Sequence, residues 1–535
     1  MKIQVLFLTA RSCVLEIPDG GLYETLIPWE IWLNGKYYMT TRKVITNLFG
    51  LKPDTDYRVE VSAGAGGDDP AVTAAGRPKT QAASLNIEGC EFTTLMESVT
   101  LNVRDFGAKG DASTDDTLAI QTAIAACPPD GRVLIPKGIY RFHCLQLKSN
   151  LNLCMEKGAV LSAFTDEEAL PMLPGVIQTW DEKGEYNLST WEGNPLPGRA
   201  GLISGFYADQ VVLYGEGVID GCAGFENWWR RDRIKRLPAR PRLFFLNHCS
   251  NVTVQGLTFT NSPSWTIHPY FSDHLAFYGT CVKNPADSHN TDGLDPESCE
   301  DVKIIGMYFS VGDDCIAIKS GKIYMARKYG VPSQKLLVRQ CLLQDGHGAV
   351  TIGSEMAGGV LDLKVEDCVF RRTDRGLRIK TRRGRGERAV VDRILFKNIR
   401  MEEVLTPIVV NSFYFCDPDG HTSYVQSREA FPVDERTPRI GSLRFEGLTC
   451  ENTHVQAAYV EGLPEQKIEE VSLKDVAIRF AGEPKAGISA MTEGVTEGSR
   501  QGFFAANIKT LRMESVCIEG QSGEKLICKG VEHLL

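Results

Sequence analysis

The sequence predicts an all-β protein: a long parallel β-helix solenoid preceded by a small β-sandwich. Three observations predict it. From about residue 130 onward a four-residue β-rich run and a polar or glycine turn recur with no helical period. The first 96 or so residues carry short alternating strands separated by turn residues instead. In the second half, four polar islands lie near the starts or ends of strand-like runs. They are Asn290-Thr291-Asp292-Gly293, Gly312-Asp313-Asp314, Gly346-His347-Gly348 and Arg378-Ile379-Lys380.

A chain of 535 residues is too long for one ordinary domain unless it is a repeat architecture. Its 43% hydrophobic content is enough for a large core. A net charge of -9 argues against a polyanion such as nucleic acid as partner. The 16 cysteines never occur as Cys-x-x-Cys, which argues against a zinc site and against a small disulfide scaffold. They read as reduced packing residues. At the N-terminus the apolar run Ile3–Leu8 is short and Gln4 interrupts it, so a first β-strand is favoured over a signal peptide. No segment approaches a membrane span. With reduced cysteines, this predicts a cytoplasmic protein.

In the N-terminal unit, residues 1–96, strand-like runs recur at Val14–Ile17, Trp29–Leu33, Tyr37–Met39 and Tyr57–Val61. The stretch Leu51-Lys52-Pro53-Asp54-Thr55-Asp56-Tyr57-Arg58-Val59 resembles a fibronectin type III module. Tyr57 then takes the place of its corner tyrosine, Leu51 of a core residue, and Cys90–Thr94 of its last strand.

The second domain, residues 97–535, opens with a Gly-punctuated loop at Asp105–Asp111. Ser113–Cys127 then reads as a helix, with Ser113 or Thr114 as N-cap and Ile120, Ala123, Ile124 and Cys127 on one face. Placed before a long β region, it suits a lid over the solenoid's exposed edge strands. Repeat starts follow at Asn251, His274, Asp301, Lys335, Asp362, Arg393 and Ser442, in steps of 23, 27, 34, 27, 31 and 49 residues. Such steps fit coils whose strands stack, with the longer ones projecting as loops.

Stacked strands lie about 4.8 Å apart. Asp292 and Asp313, 21 residues apart, therefore fall on adjacent coils. His347 falls one coil later if 321–333 projects as a loop, and Lys380 one later again. The islands then form one column. Carboxylates held that close raise one pKa, leaving a proton for general acid catalysis while the others hold water. The run Arg371–Arg388 carries nine Arg or Lys and two acids. Read alone it is a solvated basic loop. It has no interleaved aromatics, which argues against nucleic acid. Alternation in Arg378-Ile379-Lys380 puts both cations on one face, suited to a sugar carboxylate.

Island by island and in order, the chain resembles glycoside hydrolase family 28, the polygalacturonases, over roughly residues 100–535. Asn261–His268 and the Asp-Phe-Gly-Ala-Lys-Gly-Asp opening at 105–111 add to the match. The resemblance implies a right-handed, pectin-lyase-like parallel β-helix and an inverting hydrolase that needs no metal. It implies Asp313 as general acid, Asp292 and Asp314 as the water-activating pair, and His347 in support of the acid. Arg378 and Lys380 would pair with the galacturonate carboxylate, Asn290 would hold strand or sugar, and Tyr414 would touch substrate. An inverting reaction also implies an acid-to-base separation of about 6.5–9.5 Å.

Rhamnogalacturonan hydrolases of the family typically lack the histidine and the Arg-Ile-Lys pair, so oligogalacturonides or pectin fragments are the expected partners. The module arrangement resembles bacterial exo-polygalacturonases. Trp- and Arg-rich insertions at 181–200 and 225–242 are placed to close one end of a groove. Endo-action or a rhamnogalacturonan- or xylogalacturonan-type hydrolase are the alternatives, and after them a calcium-dependent pectate lyase or a non-catalytic sugar-binding β-helix.

Overall fold

A computed structural model describes residues 2–64, 87–181, 184–234 and 240–535. The expected insertions at 181–200 and 225–242 fall partly outside the described residues.

The N-terminal unit is two antiparallel sheets. One orders Gln4–Leu8, Cys13–Glu16 and Ile45–Leu48; the other orders Lys36–Lys43, Glu24–Leu33, Asp56–Ala63 and Cys90–Thr93. Leu51 is buried in the core between them with Trp29, Ile31 and Val59. The Tyr57 hydroxyl accepts a hydrogen bond from the Lys52 backbone N–H at 2.9 Å and its ring stacks on Phe92. The sandwich sits on the solenoid's flank. Val14 and Ile45 pack on Tyr278 and Ile305, and Glu16 accepts from Arg339 at 2.6 Å and from Gln340 at 2.9 Å.

The solenoid begins at Thr100–Asn102 and stacks its coils in parallel register. Two faces belong to one 23-stranded sheet, and the third face carries the site. The repeat expected from sequence sets the core. Val252, Leu275, Val302, Leu336, Leu363, Ile394, Leu443, Val471 and Leu511 lie in register on successive coils, all buried. Burying each such side chain contributes about 1.5–3 kcal/mol. Six of the seven repeat starts, Asn251, His274, Asp301, Lys335, Asp362 and Arg393, adopt left-handed backbone with φ between 51° and 56°. The bend recurs at the same level of each coil and turns the inner run toward the core.

The lid helix differs from expectation at its start. It spans Thr117–Ala126, with Ile120, Ala123 and Ile124 buried as expected. Ser113 and Thr114 do not cap it. The Asp111 carboxylate holds both of their backbone N–H groups, at 2.9 and 2.8 Å, in a strand paired with Gly138–Phe142. Asp115 instead accepts from the Thr117 N–H at 3.0 Å.

Candidate active site

The third face is built from short strands whose inward residues, Leu294, Ile316, Val350 and Leu377, stack in the core. Residues two places earlier project outward at one level. The Gly293 N–H donates to the Asp314 carbonyl at 3.0 Å, and the Cys315 N–H to the Gly348 carbonyl at 2.8 Å. Asp292 therefore faces Asp314 on the next coil, 22 residues on, and Gly348 on the coil after. Asp313 lies on the coil next to Asp292 as expected, one residue off the ladder register that Leu294 over Ile316 sets. Asp313 sits beside that column.

Two glycines of the islands are there for space. A Cβ on Gly293 would lie 2.4 Å from the Cys315 carbonyl oxygen. One on Gly348 would lie 2.3 Å from Thr351 Oγ1 and 2.9 Å from Asp314 Oδ1.

Oxygens of Asp292, Asp313 and Asp314 all come within 4.8 Å of one another. The three differ in surroundings. Asp314 is fully enclosed; Arg378 Nη1 lies 3.2 Å and Lys380 Nζ 2.8 Å from its two oxygens. Burial pushes its pKa up, but Lys380 and Arg378 outweigh burial and hold it well below the usual carboxylate range. Asp292 is also buried, and burial together with the Asp313 charge pushes it up to about 8. Its Oδ1 has no hydrogen-bond partner among the described residues. Asp313 is the open one, with 22% of its side chain exposed, and Nδ1 of His347 lies 3.3 Å from its Oδ1. That contact raises the His347 pKa against the opposing effect of burial.

The two cations of Arg378-Ile379-Lys380 share one face, and Ile379 turns into the core as expected. They are not free, however: both are already engaged by Asp314. Asn290 lines the pocket and its Oδ1 accepts from Arg240 at 2.6 Å, so an inserted-segment arginine positions it. Tyr414 lines the pocket too, its ring centroid 5.7 Å from Lys380 Nζ. With Asp292, Asp313, His347, Arg378 and Lys380 they border one open pocket.

Sequence reasoning missed a second layer. Lys319 is buried; its Nζ lies 3.2 Å from Glu355, 3.9 Å from Asp292 and 4.0 Å from the Trp265 ring centroid. Trp265 stacks on Trp191 of the first insertion, and Arg242 lies 4.4 Å over the Trp265 ring. Alternation in Ile316-Ala317-Ile318-Lys319 was a usable signal for Lys319, because it sits at the same outward level as Lys380. Nothing local marks Glu355. The basic run is no solvated loop beyond Lys380: Arg382 pairs with Asp417 and Asp419, Arg385 with Asp417, and Arg383 with Glu465 at 2.6 Å, all three arginines buried.

Residues 180–497, more than half of the chain, match the model of glycosyl hydrolases family 28. The chain belongs to that family. Residues 100–156 match a rhamnogalacturonase A/epimerase, pectate lyase-like model. A probable polygalacturonase of Vitis vinifera is 30% identical over 424 residues, covering 77% of this chain and 81% of the relative. An endo-polygalacturonase of Pectobacterium carotovorum subsp. carotovorum is 30% identical over 321 residues, 57% of this chain and 74% of the relative. In fold, the family 28 exopolygalacturonase of Yersinia enterocolitica covers 99% of this chain and 98% of its own. Its TM-score is 0.64 at 19% identity. The four islands of this family 28 chain thus meet in one pocket on a parallel β-helix.

Proposed function

We propose that this family 28 protein is a polygalacturonase that hydrolyses α-1,4-galacturonosyl linkages of homogalacturonan-derived oligosaccharides, with inversion and from a chain end. One observation carries the reading: three carboxylates lie within 4.8 Å of one another, and two of them, Asp292 and Asp313, line a pocket with Arg378 and Lys380. Asp313, the most open of the three, is placed to protonate the leaving oxygen. Asp292 and Asp314 hold the attacking water, and Asp292 takes its proton. Asp314 is a poor base because its two cations keep it ionised; its part is to orient the water and fix Arg378 and Lys380 where a sugar carboxylate docks. In the ligand-free site the proton rests on Asp292. Asp292 has to lose that proton before it can accept one from water, and Asp313 has to carry one to donate it.

Chain-end attack is supported by the walls of the pocket. Trp265, backed by Trp191, Glu192 of the first insertion and Met491 all line it, the Met491 sulfur 2.9 Å from Arg378 Nη2. The N-terminal unit is read as a fibronectin type III-like module on the support of its strand order and the Tyr57 hydroxyl contact. Sixteen free cysteines support a cytoplasmic site of action on imported oligogalacturonides.

A product time course on trigalacturonate and polygalacturonate, with and without chelator, tests the reading. Galacturonate monomer alone from the first time point is expected, unchanged by chelator. A mixed ladder means endo-action, and an unsaturated, chelator-sensitive product means a lyase.

A further inference from the structure

Lys319 borders Asp292 and, unlike Arg378 and Lys380, makes no ion pair with Asp314. It follows Asp313-Asp314 on the same strand, at an outward position in register with Gly353 and then Lys380. Its ammonium bridges two carboxylates unequally, 3.2 Å from Glu355 and 3.9 Å from Asp292. The Trp265 face fixes it from a third side at 4.0 Å. Glu355 is itself buried and is held well below the usual carboxylate range because Lys319, then Lys380 and Lys322, outweigh its burial. Glu355 therefore stays ionised and competes with Asp292 for the same ammonium.

We propose that Lys319 and Glu355 act as a positioning pair that sets how tightly Asp292 holds its proton. The proposal rests on the functional reading above. Its basis is geometric. A buried charge at 3.9 Å acts on a carboxyl with little screening. Moving that ammonium toward Asp292, or removing it, changes proton affinity in opposite directions. The other charged groups facing Asp292 are Asp313, Asp314 and Lys380 from later coils, and Arg240 and Arg242 from the second insertion. Asp295, three residues on, is buried with neither oxygen hydrogen-bonded among the described residues, and burial holds its pKa well above the usual carboxylate range. Among the described residues only Lys319 lies within 4.0 Å of both Asp292 and a second carboxylate.

The test is the pH dependence of kcat/KM on trigalacturonate. Lys319→Gln removes a cation and should move the whole profile alkaline by about 0.5–1 pH unit. Glu355→Gln frees the ammonium for Asp292 and should move it acid by a similar amount. Lys319→Arg keeps the charge, and its profile should stay close to that of the unsubstituted protein. Loss of activity with unmoved profiles, displacement of both Gln variants in the same direction, or an Arg variant displaced as far as Lys319→Gln would each overturn the proposal. Infrared titration of the ligand-free protein, with the Asp292 band identified by its loss in Asp292→Asn, reads the same shift without substrate. An unsubstituted protein inactive on galacturonates would then count against the function and not against the pair. If a Gln variant does not fold, the Arg variant and the infrared band of the other Gln variant still decide.

Discussion

Lys380 reaches Asp314 across two coils of the solenoid, its Nζ 2.8 Å from Oδ2, while Arg378 of the same strand takes the other oxygen at 3.2 Å. The intervening coil presents Gly348 at that level, where a side chain would lie 2.9 Å from Asp314 Oδ1 and 3.5 Å from Arg378 Cβ. The contact fixes the charge state of one aspartate. It leaves the proton to the other two.

Asp313→Asn keeps the shape of the open carboxyl but cannot donate as an acid. A fall in kcat of about 10²–10⁴-fold is expected with the melting temperature nearly unchanged. Ordinary turnover in that variant would remove Asp313 from the acid role.

Lys380→Met should cost twice over. Loss of a charge-assisted contact to the sugar is worth about 1.5–3 kcal/mol, or roughly 10–150-fold in kcat/KM on uronates. Asp314 also loses a buried partner, which is destabilising by up to about 3–5 kcal/mol. Denaturant melts and kinetics on charged and neutral glycosides separate the two effects. Equal kinetic loss on both substrates would count against carboxylate pairing.

Replacing either buried aspartate should change stability with opposite dependence on pH. The Asp292 pKa is raised to about 8 in the folded protein from about 3.9 unfolded. Its stabilising contribution is present below pH 4 and is lost as pH rises toward 8. Asp292→Asn should therefore raise the melting temperature more at pH 8 than at pH 5. Asp314 is depressed, so its contribution is present above its unfolded value and lost only in strong acid. Asp314→Asn should lower the melting temperature across pH 5–8. Matching pH trends in the two variants would contradict the assigned charge states.

Gly348→Ala places a methyl 2.9 Å from Asp314 Oδ1 and 2.3 Å from Thr351 Oγ1. Overpacking of about 1–3 kcal/mol is expected, with kcat falling because the carboxylate is displaced. An alanine variant with normal kcat would show that Asp314 tolerates movement.

Much of this was legible along the chain. Repeat starts at Asn251, His274 and Asp301 are the left-handed bends of successive coils, and the four islands do meet on one face. The helix face of Ile120, Ala123 and Ile124 was readable from its 3.6-residue period. Its N-terminus was not, because Asp111 captures Ser113 and Thr114 in a turn whose pairing strand lies at 138–142. Glu355 was invisible for the same kind of reason: nothing near it in sequence speaks of Lys319 or Asp292.

The sequence by itself determined the repeat, the solenoid and the inventory of acids and cations, because side-chain alternation and turn residues act over a few positions. Only the tertiary structure decided which aspartate is ionised. Asp292 and Asp314 are equally buried and lie on adjacent strands, yet two cations from a distant coil reach one, while the other shares a single ammonium with Glu355. Desolvation and charge pairing depend on what the stacked coils enclose, and that is a property of the register between strands.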